Sequence, residues 1–493
     1  MKLINRFIIM MCSLFILYYS IGAEANVTAN GRDLQIRLDS YIEEFMNEQR
    51  IPGASIMLLK GEDVIYQKNW GVTGEDEQPI TSSTPFTIGS ISKSFTGLAM
   101  VKLEQEGLVD LEAPVQKYLP WFTLQDQQAA TTMTIKHLLS HTSGFTTYTG
   151  LLLSDQELVT SITYKSMTEK LSEAKLTAMP GEKHQYSNAN YIILGAIIEE
   201  VSKQTYSDYM HQRIFEPLGM DNAAAELTTA IRNGYRTGYQ SLFGYPVKST
   251  VEYDNSGSSY GYITASSEDL AKFLKLISNT STNRLLNDDY LNKYLTPLVQ
   301  VRENRYYGYG LRTTLPDKKG GELSLWHSGS TPDSHGELFY FPEEGLGGVI
   351  LTNKNHILEE SALPALKKGI IQLVNNEQPE DIPGLSRNTQ LFLTLFVLIC
   401  IILLLYIILA RRRAKIRYTA LRVIIGTVMQ LASILTVPLV RYYTDSPFHS
   451  VILFAPDVAI LMLMSALLVL LNGLVLLWPR KKISKGRRLE LYK

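Results

Sequence analysis

The stretch Phe86-Thr87-Ile88-Gly89-Ser90-Ile91-Ser92-Lys93-Ser94-Phe95-Thr96-Gly97 decides how the rest of the chain is read. It has the form of a strand end, a tight glycine, and a helix that opens on Ser90. A serine at a helix start ordinarily caps it. Here Lys93 stands three residues on, so hydroxyl and amine share one helix face, a turn apart. A serine hydroxyl is a weak nucleophile and needs a base beside it. A desolvated lysine, or a tyrosine whose proton that lysine loosens, meets the need. Behind the pair, Phe95, Leu98, Ala99, Val101 and Leu103 recur at helical spacing. They predict a buried helix whose N-terminus aims backbone N–H groups at a cleft. A second Ser-x-x-Lys, Ser172–Lys175, has no glycine turn and no apolar helix behind it.

Two more segments carry candidate chemistry. Pro180–Asn188 ends a loop and enters an apolar helix; Tyr186 is a candidate proton relay and Asn188 a candidate partner for a substrate amide. The plainer reading is a buried tyrosine and a helix cap, and Tyr290-Leu291-Asn292 shows that the spacing recurs without meaning. Leu325-Trp326-His327-Ser328-Gly329-Ser330 lies at a strand end. The small residues after His327, Gly329 among them, let a substrate reach the strand edge. The Ser330 N–H would join that of Ser90 as an oxyanion hole, each donor being worth about 3 kcal/mol or more. Lys319-Gly320-Gly321 could supply the third element instead but reads as a hairpin tip.

His137 and His141 stand four apart, as zinc ligands do on a helix, but Leu138 occupies the place where a zinc protease carries glutamate. Packing and capping histidines are the expectation, with no metal and no cofactor. The two cysteines, Cys12 and Cys400, both lie in apolar runs, so the body has neither a disulfide framework nor a cysteine metal site.

The 493 residues balance 47 Lys+Arg against 48 Asp+Glu. The balance conceals an asymmetry: residues 411–493 hold 14 Lys/Arg and 3 Asp/Glu, which leaves residues 26–410 acidic. An acidic body on a basic tail is not the pattern of a nucleic-acid binder. Residues 1–25, with Lys2, Arg6, an apolar run and Ala23-Glu24-Ala25, read as a signal peptide cleaved after Ala25. Residues 33–49 follow helical spacing; 54–60 and 64–70 form a hairpin; helices dominate from about 100 to 300, among them Tyr186–Val201 and one capped by Ser266. Strands are expected at 307–314, 322–326, 337–341 and 348–352, then a helix at 357–375. Strands at both ends of the body imply one sheet assembled from the two ends around a helical insertion.

The body therefore spans 26–380 and a linker 381–390, followed by three runs each long enough to span a bilayer: 391–410, 423–440 and 458–478. Basic residues cluster between the first two runs and in the tail 479–493. By the positive-inside rule both clusters are cytoplasmic and the body lies outside. Few polar residues interrupt the runs (Gln430, Ser433, Thr436, Asn472), which favours anchoring over transport; Asp457, at an outer end, is expected in solvent.

Ser90-Ile91-Ser92-Lys93, Tyr186-Ser187-Asn188 and His327-Ser328-Gly329, in that order, resemble the motifs of the serine β-lactamase and penicillin-binding-protein superfamily. The class C β-lactamase and D-alanyl-D-alanine carboxypeptidase branch is the more similar, across about residues 33–376; His137–Gly144 and Gly261–Lys272 also look like stretches of it. The resemblance implies an α/β (α+β) fold, an antiparallel sheet flanked by helices plus an all-helical domain. It implies an acyl-enzyme on Ser90, with Lys93 and Tyr186 as base and Asn188, His327, Gly329 and Ser330 as substrate-binding residues. The expected substrate is a small peptide or a D-amino-acid ester or amide, with β-lactams as candidate ligands. One departure bears on specificity. The family's third motif most often begins with lysine, and here it begins with His327, mostly neutral near pH 7. That weakens the case for an efficient β-lactamase or carboxypeptidase and leaves room for an esterase, an amidase or a D-aminopeptidase, including one that matures an antibiotic precursor. Two further functions stay open on these residues: a catalytically silent binding module, and a membrane part with work of its own.

Overall fold

A computed structural model describes residues 31–155, 163–280, 285–316, 322–412 and 419–478. The expected signal peptide, the Lys319–Gly321 turn and the basic tail lie outside the described residues. The chain divides into two compact units, one running to Ser386 and taking in Leu453–Ala455, the other from Arg387 to Ile452 and from Pro456 onward.

The body is built on an eight-stranded antiparallel sheet. Its strands are β1 (Gly53–Lys60), β2 (Asp63–Gly71), β3 (Val299–Arg302), β4 (Arg305–Tyr307), β5 (Arg312–Thr314), β6 (Ser324–Thr331), β7 (Ser334–Phe341) and β8 (Leu346–Thr352). The order is β2-β1-β8-β7-β6-β5-β4-β3, so strands from the two ends of the body meet at β1 and β8, as the sequence implies. Side chains alternate between faces along a strand. Ile56 and Leu58 of β1 and Ile350 of β8 face one core with Leu38, Ile42 and Phe45 of helix α1 (31–49) and Leu366 and Ile370 of a helix at Leu363–Val374. Met57 and Leu59, with Val349 and Leu351, face the other core, which holds the helical part. Burial on both faces makes β1 read as a continuous apolar run.

Helix α2 (Ser92–Gln105) and helix α3 (Asn188–Ser202) are buried nearly all round. Such helices carry apolar residues on every face. Ser266 caps the helix Ser267–Ile277 through a capping box with Asp269.

Several boundaries differ from expectation, each for a local reason. Ser90 does not open α2. It sits in a single 3₁₀ turn, Gly89–Ile91, before the α-helix begins at Ser92, and no side chain caps either start. The expected strand 307–314 is two strands joined by a turn in which Gly310 is left-handed (φ 83°). A Cβ at Gly310 would lie 2.2 Å from the Lys93 carbonyl oxygen, so only glycine lets this turn lie against α2. Strand β6 continues through His327 to Thr331, because a two-residue turn at Pro332-Asp333 pairs the whole length with β7. Strand β3 falls in a stretch that the sequence pattern leaves helical.

In the second unit, helices Asn388–Arg412, Ala420–Thr444 and Pro456–Leu477 are each long and apolar enough to cross a membrane. Their polar groups bond to backbone: Ser433 Oγ donates to the Ala466 carbonyl at 2.7 Å, and Asn472 Nδ2 to that of Cys400 at 3.0 Å. Arg411 and Arg422 donate to the last carbonyls of Pro456–Leu477, where cations complement the helix end. Asp457, expected in solvent, is buried and receives the Gln390 amide at 3.3 Å.

Candidate active site

The 3₁₀ turn that carries Ser90 is held from two sides. Phe86–Thr87 pairs with Thr264–Ala265, and the Ile263 N–H donates to Ser92 Oγ at 3.1 Å. This brings the turn Ser258–Tyr262 against α2. On the other side Gly89, left-handed at φ 53°, meets Gly329 of β6. A Cβ on Gly89 would stand 2.2 Å from the Ser330 nitrogen, and a Cβ on Gly329 would stand 2.6 Å from the Ser90 nitrogen. Two residues without side chains let the backbones approach, and so bring the N–H groups of Ser90 and Ser330 into one neighbourhood.

Lys93 is fully buried. Its Nζ donates to Ser90 Oγ at 3.1 Å and to the Tyr260 carbonyl at 2.7 Å. Burial pushes the ammonium below its ordinary pKa, and the neighbouring Tyr186 pulls the other way. Nζ stands 4.9 Å from the centre of the Tyr186 ring. The Tyr186 hydroxyl is shielded from solvent and makes no regular hydrogen bond among the described residues. Burial raises a phenol's pKa; here the Lys93 and Arg312 cations, with Ser90 and Lys93 close to the oxygen, carry it below the ordinary value. Ser90, Lys93 and Tyr186 thus converge, from segments about a hundred residues apart.

Tyr186 is fixed by the loop before α3. The His141 ring packs on it at 4.2 Å between centres, and His141 Nδ1 accepts from the Ser187 N–H at 3.2 Å. His137 caps its own short helix through Thr134. The histidine pair therefore packs and caps, and among the described residues no His, Cys, Asp or Glu cluster of three is placed to hold a metal. Asn188 reaches the cleft with its amide donating to Ser154 Oγ at 2.9 Å. His327 is buried: Nδ1 lies 2.6 Å from the Ser328 carbonyl and Nε2 3.2 Å from the Tyr307 hydroxyl. Burial, and then Arg312, hold its pKa well below the ordinary histidine value, so the imidazole is neutral.

The cleft is lined by Ser90, Tyr186, Asn188 and Ser330, together with Asp155 and Tyr262. Lys93, His327 and Gly329 form its supporting layer. Two residues escaped the sequence reading. Arg312 places its guanidinium carbon 5.2 Å from the Tyr186 ring, 5.3 Å from that of Tyr307 and 5.5 Å from that of Trp326. Asp155 follows the helix Thr147–Leu153 in a left-handed conformation (φ 57°). Neither belongs to a motif; Arg312 is the one charged residue between Arg305 and Asp317, and Asp155 has Glu157 two residues on, so charge alone marked neither as a site residue.

The chain is also similar to known proteins. The family profile described as Beta-lactamase matches residues 38–368. Protein flp of Staphylococcus aureus (strain NCTC 8325 / PS 47) is 30% identical over 390 residues, covering 78% of this chain and 75% of the relative. Penicillin-binding protein 4* of Bacillus subtilis (strain 168) is 26% identical over 362 residues, covering 69% and 76%. Among solved structures, the octameric penicillin-binding protein homologue from Pyrococcus abyssi superposes with a TM-score of 0.58 at 29% identity, covering 72% of this chain and 80% of its own.

Proposed function

Because this chain belongs to the Beta-lactamase family, we propose that it is a serine hydrolase that forms a transient acyl-enzyme on Ser90. The observation that carries the reading is a buried Lys93 whose Nζ lies 3.1 Å from the Ser90 hydroxyl, beside a phenol whose pKa is lowered. Ser90 Oγ attacks the carbonyl carbon, and its proton passes to the Lys93–Tyr186 pair. The developing oxyanion is met by the N–H groups of Ser90 and Ser330. Collapse breaks the bond to the leaving group, which takes the proton from the pair. Water then attacks the ester with the same pair as base, and Ser90 is restored. Asn188 orients the acyl group, and Gly329 keeps the strand edge open.

The substrate class is an ester or amide of a D-amino-acid-containing compound, of cell-wall type or related to it. The penicillin-binding names of the relatives support this class. The neutral His327 supports an esterase or aminopeptidase in preference to an enzyme that binds a substrate carboxylate through a fixed cation. The three apolar helices anchor the protein in the cell membrane, and the basic segment after the first of them supports a body on the extracytoplasmic side.

Treating the full chain with a fluorophosphonate or a labelled penicillin tests the chemistry. A single adduct mapping to Ser90, and absent from Ser90→Ala, is expected. Failure of the wild type to label, or labelling that survives in Ser90→Ala, overturns the reading.

A further inference from the structure

Asp155 is held in the wall of the cleft by two tyrosines of one segment. The Tyr260 hydroxyl accepts the Asp155 N–H at 3.1 Å and donates to Asp254 at 2.7 Å; the Tyr262 hydroxyl donates to Asp155 Oδ1 at 2.6 Å. Among the described residues nothing hydrogen-bonds Oδ2, and no cation pairs with the carboxylate; the positive charge acting on it is that of Lys93, already engaged with Ser90 and the Tyr260 carbonyl. Burial raises the Asp155 pKa to about 6, which leaves the group ionised at neutral pH. A sequestered carboxylate without a counter-ion is unfavourable unless a partner arrives. Asp155 lines the same cleft as Ser90.

A second wall of the cleft also presents an acceptor. Ser330 Oγ lies 3.0 Å from His335 Nδ1; His335 Nε2 lies 3.2 Å from Glu337 Oε1; and Lys367 donates to Glu337 Oε2 at 2.5 Å. Against burial, the hydrogen bond to His335 and then the Lys367 cation hold the Glu337 carboxyl below the usual range, so it is ionised and only accepts. Whichever way the bond to His335 runs, the Ser330 hydroxyl keeps an acceptor lone pair, and Ser330 lines the cleft.

We propose that the cleft selects substrates that carry a free ammonium group beside the acyl carbon, bound by Asp155 with Ser330 as a second acceptor. The proposal rests on the hydrolase reading for its reaction but not for its recognition. An aminoacyl ester or amide with an unblocked amine fits. An N-acylated analogue loses the charge, and a carboxylate placed there meets Asp155 as a like charge.

Ligand-observed NMR titration of full-length Ser90→Ala in detergent separates recognition from turnover. Three probes are compared at pH 7.5: D-alaninamide, N-acetyl-D-alaninamide and D-lactamide, in which a hydroxyl replaces the ammonium. D-Alaninamide is expected to bind roughly tenfold or more tighter than the other two, as a charge-assisted bond requires. Adding Asp155→Asn should bring the three to within about twofold, and Asp155→Glu should keep much of the preference. Equal binding of the three probes to Ser90→Ala, or a preference that survives Asp155→Asn, overturns the proposal. The first comparison needs no change at Asp155, so it holds even if that variant misfolds. A chain that prefers the amine yet forms no fluorophosphonate adduct loses the hydrolase reading alone; one that labels on Ser90 without the preference loses only this one.

Discussion

At the scale of single residues, the site turns on how a lysine and a tyrosine are kept ready to give up protons. Burial acts on Lys93 in the useful direction and on Tyr186 in the wrong one, so the tyrosine depends on nearby cations. Arg312 lowers the pKa of both groups. Removing its charge therefore raises both, and at a given pH less of the pair is in the basic form. Arg312→Gln should move the acid limb of the kcat/KM–pH profile upward by about one unit, a roughly tenfold loss below the limb that closes at high pH. A pH-independent loss would assign Arg312 to packing instead. Arg312 could not be found in the sequence because its place is a matter of register. It lies opposite Trp326 on one neighbouring strand and Tyr307 on the other, and neither pairing shows in the local pattern around Leu311–Thr314. Asp155 was hidden for a related reason. Its partners Tyr260 and Tyr262 come from about a hundred residues downstream. Ser90 and Lys93 were legible because they lie three residues apart with a glycine before them and an apolar helix behind, all within one short stretch.

At the scale of elements, the approach of the 3₁₀ turn to β6 decides whether the two N–H groups converge. Gly329 permits it, since a Cβ there would stand 2.1 Å from the Ile88 carbonyl oxygen and 2.6 Å from the Ser90 nitrogen, both backbone atoms that cannot step aside separately. Gly329→Ala should push turn and strand apart and weaken the oxyanion hole. Removing one such donor costs about 3–4 kcal/mol, so kcat should fall roughly a hundredfold or more. The binding of a neutral amide should change far less, and circular dichroism should report the same secondary structure. A kcat within about threefold of wild type would show that the hole is built elsewhere. The sequence exposed elements whose signal is periodic or local: the hairpin of β1 and β2, the buried helix after Lys93, the Ser266 cap. It missed elements made by contact. The 3₁₀ turn at Ser90, the break at Gly310 and the extension of β6 to Thr331 each depend on a partner strand or helix brought in from elsewhere in the chain.

At the scale of the whole molecule, each compact unit can be asked whether it closes its own apolar surface. In the body, one face of the sheet is covered by α1 and the helix Leu363–Val374, and the other by the helical part, all from residues between 31 and 374. The second unit is the reverse: Leu391, Phe392, Ile402, Tyr406 and Ile434 are each more than 60% exposed. An apolar surface of that extent is stable in a lipid solvent and not in water. The two units thus satisfy different solvents, and the burial that orders the Ser90 site belongs to the first. A chain ending at Ser386 should accordingly be soluble without detergent and unfold in one cooperative transition. It should also label on Ser90 at a rate within about threefold of the full chain, since none of the groups that set the nucleophile's pKa lies beyond that point. Size-exclusion chromatography, a thermal melt and adduct kinetics check this together. Aggregation of the shortened chain, or loss of labelling in a soluble one, would mean that the helical unit supports the site as well as serving as the proposed anchor.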